Sequence, residues 1–152
     1  MNEIRFRETP VEEILGLRAR ELRAGKPLES ARFTEDHEPD TMHFAACAAG
    51  RVVGCLTLIK TDAGAASSWQ LRGMATEKAW QQKGVGKGLL FFAEGRLRAH
   101  ASEQPDIDRA RIWCNARTGA VPFYTRMGYI TVSEEFHIEN IGPHYKMEKN
   151  IL

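Results

Sequence analysis

A glycine-rich segment at the start of an amphipathic helix most constrains the fold of this chain. Residues 81–88 read Gln-Gln-Lys-Gly-Val-Gly-Lys-Gly, follow a strand-like run at 69–76 and precede apolar residues at helical spacing. A helix start presents unpaired N–H groups and a partial positive charge, and glycines let a phosphate approach them. Lys83 and Lys87 add charge of the matching sign. Because glycines inside a helix are costly, we favour an anion site over a plain turn.

Two common phosphate motifs fit this segment poorly. A Walker loop needs Gly at the position of Gln81 and Ser or Thr at the position of Gly88, so it is excluded. A dinucleotide fingerprint needs GxGxxG after the first strand of a parallel unit, whereas this GxGxG follows several antiparallel-looking strands.

The order of periodic segments predicts a mixed α+β fold with one central strand–helix–strand unit. We expect residues 26–42 to form a loop or broken helix and residues 62–68 to form a loop. Strands are predicted at 4–7, 43–48, 51–60, 69–76, 110–114, 129–133, 136–138 and 144–148, and helices from Pro10 to near Gly25, over 84–101 and over 119–127.

Length and charge limit the class of protein. The chain has 152 residues, which predicts a single domain over 1–152, and its apolar runs are too short to span a bilayer. The N-terminal residues Met1–Arg5 lack the layout of a signal peptide, which predicts a cytoplasmic protein without a membrane partner. The net charge of +1 argues against nucleic acid, which would have to bind through Lys83, Lys87, Arg96 and Arg98.

Cysteines and histidines give no metal-site spacing. Cys47, Cys55 and Cys114 are therefore predicted to be buried apolar side chains, and Cys114 is disfavoured as a nucleophile because the sequence places no base beside it. Asp36, His37, Glu38, Asp40 and His43 match no ligand pattern, so we expect a solvated acidic loop and no metal.

Gly73 is out of place inside the strand-like run 69–76. An isolated glycine in a strand indicates a bulge or a close approach by another group.

The motifs together resemble the GNAT superfamily of acyl-coenzyme A-dependent N-acyltransferases. Gln81-Gln82-Lys83-Gly84-Val85-Gly86 fits its Gln/Arg-x-x-Gly-x-Gly/Ala signature, and 71–76 is similar to its splayed fourth strand. Residues 120–129 resemble its later A-x-x-x-Y-x-x-x-G-F/Y segment, and 51–54 its second hairpin. The resemblance covers most of the chain apart from 26–42, and the ending Ile138–Met147 is similar to the ElaA-like branch.

The resemblance implies a mostly antiparallel central sheet with a splayed parallel strand pair and flanking helices. It also implies acetyl-CoA as co-substrate, held by a set of residues along the fourth strand, the glycine loop and a later strand and helix. That set is Met74, Ala75, Thr76, Gln81, Gln82, Lys83, Gly84, Val85, Gly86, Lys87, Asn115 and Tyr124. The asparagine common in the family falls at Arg117 here, and Asn115 stands two positions earlier.

The implied chemistry is direct transfer of an acetyl group to a primary amine of a small molecule or peptide. A backbone N–H near Met74–Ala75 would polarise the thioester carbonyl, and Tyr124 would protonate the departing thiolate as general acid. His144 is a candidate base, with Glu134, Glu135 and His137 as alternatives, and the family's strand-four carboxylate is absent from residues 69–75.

A non-catalytic acyl-CoA-binding or protein-interaction module with the same fold is the alternative function. Exposed edge strands in such a fold favour a homodimer. The sequence does not specify the acceptor amine or the acyl chain length.

Overall fold

The computed structural model describes residues 3–63 and 66–152, and the side chains of these except 62, 63 and 66. The strands are β1 (Arg5–Thr9), β2 (Met42–Ala48), β3 (Arg51–Ala63), β4 (Ala66–Thr76), β5 (Ala110–Arg117), β6 (Ile130–Thr131), β7 (Phe136–Ile138) and β8 (Gly142–Asn150). The α-helices are α1 (Leu15–Leu22), α2 (Val85–Ser102) and α3 (Val121–Arg126). Short 3-10 turns lie at Val11–Glu13, Leu28–Ala31, Lys78–Trp80 and Thr118–Ala120. None of the helices in the described ranges has the length and apolar character of a membrane span.

The strands form one sheet in the order β1-β2-β3-β4-β5-β8-β6, and β7 pairs with β8. The β4–β5 pair is parallel, with Ser67–Gln70 opposite Ala110–Trp113. The pairs β1–β2, β2–β3, β5–β8, β6–β8 and β7–β8 are antiparallel. The predicted α+β class, with a mostly antiparallel sheet and one parallel pair, is confirmed.

Several element boundaries differ from the sequence prediction, and α1 begins at Leu15, after a 3-10 turn, rather than at Pro10. Helix α1 ends at Leu22, earlier than predicted, and Gly25 has a left-handed φ of 78° in the turn that follows. The predicted loop at 62–68 is wrong at its ends, because β3 extends to Ala63 and β4 begins at Ala66. Residues 1–2, which belong to the N-terminal segment considered above, and residues 64–65 of that loop lie outside the described residues.

Contacts group the chain into two compact units, and the first contains Met1–Lys60 and Leu71–Leu97. Its apolar core joins the turn before α1 and helix α1 to β2, β3 and β4 through Val11, Ile14, Leu17, Ala45, Cys55 and Ala75. The predicted apolar stripe of α2 is confirmed, since Val85, Leu89, Leu90, Ala93 and Leu97 are all buried.

The second unit contains Thr61–Gln70 and Arg98–Leu152. Trp69 is fully buried there, its Nε1 donates to Ser67 Oγ at 2.8 Å, and its ring lies edge-on to His100. Long antiparallel pairing of β5 with β8 runs from Arg111↔Asn150 to Arg117↔His144. This ladder fixes the positions of the side chains at the end of β5.

A buried arginine on α1 organises the first unit. Arg18 is 1% exposed, and its guanidinium donates to the Asp36 carboxylate from Nη1 at 2.9 Å and from Nη2 at 3.2 Å. The same group donates to the Ala31 carbonyl at 3.1 Å and to Thr57 Oγ1 at 2.8 Å. Asp36 is therefore a buried partner of α1, and the expectation of a wholly solvated acidic loop is wrong at this residue.

His43 completes a ring of hydrogen bonds with Arg18, Thr57 and Asp36. His43 Nε2 lies 2.9 Å from the Asp36 carbonyl, which can only accept, so Nε2 carries the proton. His43 Nδ1, 2.8 Å from Thr57 Oγ1, must then accept from the hydroxyl, whose oxygen in turn accepts from Arg18. We call these four residues the Arg18 ring, with His43 in its neutral form.

We predict that the free energy of unfolding falls as pH decreases because of His43. Burial, with Arg18 nearby, lowers the pKa of His43 below its ordinary value of 6.5, although the Asp36 carbonyl and charge oppose this. The unfolded chain therefore binds a proton at a pH where the folded chain does not, so stability is lost as pH falls below about 6.5. Urea unfolding of the wild type and of His43→Gln between pH 8 and pH 5 measures the difference. Equal pH slopes for the two proteins would contradict it.

Candidate functional site

The glycine loop forms an exposed turn that leads into α2. Gln82 has a φ of 60° and Gly84 a φ of 82°, so two left-handed residues alternate around Lys83. Such turns direct successive N–H groups to one side and form concave anion sites. The first bond of α2 runs from the Gly88 N–H to the Gly84 carbonyl at 3.0 Å. The N–H groups of residues 85–87 thus have no intrahelical acceptor, as expected at a helix start.

Side chains tie this loop to the end of β4. Gln81 Nε2 donates to the Thr76 carbonyl at 3.0 Å, which joins two of the predicted cofactor-binding residues. Lys83 and Lys87 are exposed, and the Lys83 ammonium lies 5.5 Å from the centre of the Trp80 ring. The loop therefore carries two cations and a helix N-terminus on an accessible surface, which suits a diphosphate.

Gly84 and Gly88 in this segment are required for different structural reasons. A Cβ at Gly84 would meet nothing within 4 Å, so this position is set by its left-handed backbone and stays open. A Cβ at Gly88 would lie 2.5 Å from the Phe6 ring, so this glycine is needed for packing of α2 on β1. The glycine signature therefore combines an open cradle with a helix-packing contact.

Strand β4 contains the bulge that Gly73 predicts. Near its start, the Ser67 N–H donates to the Arg109 carbonyl, on the β5 side, at 3.0 Å. Just past its end, the Glu77 N–H donates to the Val53 carbonyl on β3 at 2.9 Å. In a regular strand, N–H groups an even number of residues apart point to the same side. The N–H groups of Ser67 and Glu77 are an even number of residues apart but point to opposite neighbours, so the alternation changes within β4. Gly73, with a φ of 64°, is the left-handed residue at which a glycine bulge inserts one position.

Beyond the bulge, backbone groups alternate between two sides. The Cys55 thiol on β3 donates to the Gly73 carbonyl at 3.5 Å, and the Ala75 N–H also faces this thiol. Gly73, Ala75 and Glu77 thus direct their backbone groups toward β3. The Met74 N–H, between them in the alternation, points to the opposite side of the strand.

The close approach that the sequence predicts at Gly73 is made by this chain's own side chains. A Cβ on Gly73 would lie 3.0 Å from Arg18 Nε and 3.0 Å from the Phe33 ring. Phe33 is itself held between two guanidinium groups, with Arg18 at 3.9 Å and Arg72 at 4.1 Å from the ring centre. The loop between α1 and β2 therefore packs on the bulge.

The predicted general acid lies in the second unit. Tyr124 is on α3, is 7% exposed and has its ring edge-on to Tyr129 at 5.6 Å. Burial, with a smaller contribution from Cys114, raises the pKa of Tyr124 above its ordinary value of 10.0. The phenol therefore keeps its proton at neutral pH.

Two further candidates lie at the paired ends of β5 and β8. Asn115 is exposed on β5, and His144 is 3% exposed on β8. His144 Nδ1 is 2.8 Å from the Gly142 carbonyl and must donate to it, which leaves the lone pair on Nε2. The ring also stacks on Phe136 at 6.0 Å. This tautomer is the one that a base acting through Nε2 requires.

The cysteines are poorly suited to act as nucleophiles. Burial raises the pKa of both Cys55 and Cys114 to about 12, so neither is a thiolate at neutral pH. All three cysteines are free thiols, and Cys47 is only partly buried. Within the part of the chain that the structure describes, no three His, Cys, Asp or Glu side chains are grouped to hold a metal ion.

The sequence analysis missed the residues around the bulge as a group. Arg18, Phe33, Thr57 and Cys55 contact Gly73 or hold the groups that do. One signal was present, because Arg18 stands in the apolar stripe of α1 beside Leu15 and Leu17. A cation at a core-facing helix position indicates a buried partner.

The fold and the glycine signature agree with relatives of known class. A family model for the acetyltransferase (GNAT) domain matches residues 21–151. The chain belongs to the GNAT acetyltransferase family.

Individual relatives agree with this assignment. The chain is 29% identical over 147 residues to the uncharacterized N-acetyltransferase YitI of Bacillus subtilis (strain 168), covering 93% of this chain and 92% of that protein. Its fold is similar to that of an aminoglycoside 6'-N-acetyltransferase complexed with coenzyme A, with a TM-score of 0.75, 17% identity and 97% of each chain covered. It is also similar to Escherichia coli ElaA, with a TM-score of 0.67, 18% identity, and 97% of this chain and 99% of that chain covered.

We predict that Gly73→Ala destabilises the protein more than Gly25→Ala. Both positions have left-handed backbone, at 64° and 78°, but only at Gly73 would a Cβ meet neighbouring atoms. Backbone strain costs about 1 kcal/mol at either position, and overpacking against Arg18 and Phe33 adds ~1–3 kcal/mol at Gly73. Urea unfolding of the two variants measures both losses. Equal losses would show that the contact around Gly73 yields without cost.

Proposed function

We propose that this protein transfers an acetyl group from acetyl-CoA to a primary amine of a small molecule or peptide. The observation that carries the proposal is the segment 81–87, with its exposed left-handed turn, helix N-terminus and two exposed lysines. These features suit the diphosphate of coenzyme A. The coenzyme A in the structurally similar aminoglycoside acetyltransferase supports the same co-substrate here.

The bulge in β4 supplies the proposed stabilisation of the reacting carbonyl. The Met74 N–H points away from β3, and a fixed backbone donor at this position would bind the carbonyl oxygen of the thioester as negative charge develops on it. We propose that Met74, Ala75 and Thr76 lie along the pantetheine arm. Residues Gln81, Gln82, Lys83, Gly84, Val85, Gly86 and Lys87 would hold the diphosphate, and Asn115 would contact the cofactor from β5.

The transfer step needs one proton donor and one base. The neutral amine nitrogen attacks the carbonyl carbon, the carbon–sulfur bond breaks and coenzyme A leaves as a thiolate. The new amide nitrogen then loses its extra proton, which replaces the one that the sulfur takes up. Tyr124 donates a proton to that sulfur as general acid. Because its raised pKa makes it a weaker acid than a thiol, Tyr124 first stabilises the charge on sulfur by a hydrogen bond, and its proton is transferred as the proton lost by the amide nitrogen replaces it.

The base in this proposal is His144. Its Nδ1–H bond to the Gly142 carbonyl leaves Nε2 able to accept the ammonium proton, directly or through water. Glu134, Glu135 and His137 remain alternatives on the segment before β8. Direct attack fits better than a covalent enzyme intermediate, since burial keeps the Cys114 thiol protonated.

We predict that acetyl-CoA raises the melting temperature of the wild type and that Gly84→Asp abolishes the rise. At a concentration about 100-fold above the dissociation constant, binding adds about 2.7 kcal/mol of stability. An aspartate in the open cradle would repel the diphosphate. Gly84→Asn is the matched control, because asparagine has the same size, tolerates the left-handed φ of 82° and carries no charge.

The comparison of the two variants separates charge from shape. If acetyl-CoA raises the melting temperature of Gly84→Asn but not that of Gly84→Asp, the result supports a phosphate site at this loop. No shift in the folded wild type would exclude acetyl-CoA as co-substrate.

We predict that Tyr124→Phe lowers kcat by about 10²-fold or more, within the usual range for a general acid, while acetyl-CoA binding is retained. Release of the coenzyme A thiol with a panel of amines measures kcat, and the thermal shift measures binding. The alternative function, a non-catalytic acyl-CoA-binding or protein-interaction module, predicts binding without turnover in both proteins. Unchanged kcat in the variant would remove Tyr124 from the mechanism.

A further inference from the structure

The Arg18 ring is in direct contact with the bulge that carries the proposed carbonyl donor. Arg18 Nε and the Phe33 ring each lie 3.0 Å from the point where a Gly73 Cβ would stand. The Cys55 thiol holds the Gly73 carbonyl from the β3 side. Gly73 is therefore confined by α1 and the α1–β2 loop as well as by its neighbouring strand.

The ring leaves Arg18 no freedom to move. Both terminal nitrogens are committed, Nη1 to Asp36 and Ala31 and Nη2 to Asp36 and Thr57. The Asp36 carboxylate also accepts the Phe33 N–H at 2.9 Å, which fixes the loop residue that stacks on Arg18. A displacement of the guanidinium would break several buried bonds at once.

Stability alone is a weak explanation for this arrangement. A buried ion pair is often no more stabilising than apolar side chains of similar volume. Among the described residues, Arg18 Nε is the one buried side-chain nitrogen or oxygen without a hydrogen-bond partner, which adds a further cost. What the ring provides is a fixed direction for the backbone at Gly73.

We propose that Arg18 is a positioning residue for acyl transfer, which holds the β4 bulge so that the Met74 N–H keeps the direction needed to polarise the thioester. This inference rests on the proposed function. Arg18 does not touch the reacting atoms in this proposal; it acts through Gly73. Thr57 and His43 share the role because they orient the Nη2 side of the guanidinium.

Thr57→Val tests the proposal with little change of shape. Valine fills the same space but removes the hydroxyl that links Arg18 to His43, so the ring opens while the ion pair with Asp36 remains. Thr57→Ser restores the hydroxyl and is the rescue variant. Thr61→Val is the matched control, since the Thr61 hydroxyl also accepts from a side-chain nitrogen, Trp113 Nε1, and donates to a carbonyl, that of Ser68, but belongs to the second unit.

Two measurements are made on each full-length variant. The first is kcat and the acetyl-CoA dissociation constant, at a temperature well below the melting temperature. The second is the backbone amide chemical shift of Met74 in the coenzyme A complex and in the acetyl-CoA complex. Only acetyl-CoA has a thioester carbonyl, so the difference in Met74 shift between the two complexes measures the hydrogen bond from the Met74 N–H to that carbonyl. This measurement requires no acceptor amine.

We expect Thr57→Val to lower kcat by about tenfold to a hundredfold, since small displacements of a catalytic donor have effects of this order. Its acetyl-CoA affinity should stay within about twofold of the wild type, an energy difference of ~0.4 kcal/mol. The difference in Met74 shift should shrink. Thr57→Ser and Thr61→Val should behave as the wild type in both measurements.

Other outcomes overturn the inference. If Thr57→Val binds acetyl-CoA and keeps both kcat and the Met74 shift difference, the ring is structural only. If Thr57→Val does not fold, His43→Gln opens the same ring at its other end, and the same two measurements decide. A wild type that binds no acetyl-CoA overturns the proposed function and this inference with it. If the wild type binds acetyl-CoA but acetylates no amine, kcat cannot be compared. The Met74 shift difference in the wild type and in Thr57→Val then decides the inference.

Discussion

The hydrogen bonds of one buried guanidinium organise the first unit of this protein. Arg18 brings together a helix, a loop and a strand that are distant in sequence, through Asp36 and Thr57. A charged group with 1% exposure is tolerable only when its donors are satisfied, and four of the five are. The fifth, Nε, faces Gly73. The loop and the strand bulge thus both pack against the place where this one charge is buried.

The glycine loop follows a different principle. Residues 81–84 and Lys87 are exposed, and the anion binding that we propose for this loop depends on backbone geometry at Gln82 and Gly84 rather than on a buried network. Nearby, Gly88 serves the packing of Phe6 on α2. A short signature can therefore combine a recognition element and a packing element, and the sequence alone does not separate them.

The parts of the fold that depend on periodicity could be predicted from the sequence. The stripe of α2, the β2–β3 hairpin and the glycine bulge in β4 each have a local pattern, and the structure contains all three. The Arg18 ring could not be predicted, because its members are separated by long stretches of chain and Asp36 lies in an acidic, loop-like sequence. Asp36 was expected in solvent, and only its pairing with a core-facing arginine shows otherwise.

The candidate site divides in the same way. The geometry of the glycine loop was predictable because a helix start and its glycines are adjacent in sequence, while its binding of phosphate stays a prediction. The roles of Tyr124, His144 and Asn115, and the single domain over 1–152, stay predictions. Their local geometry adds physical detail, namely a phenol that keeps its proton and an imidazole with its lone pair on Nε2.

The directionality of the Arg18 ring has an evolutionary consequence. Each member supplies a donor or an acceptor that the next one requires, in an order that runs from Arg18 through Thr57 and His43 to Asp36. Exchange of one member leaves its neighbour with an unmatched polar group in a buried place. The four positions therefore form one epistatic set: a single change is tolerated only where it keeps the donor or acceptor, as serine does at Thr57, and a lineage that abandons the ring must replace it as a whole.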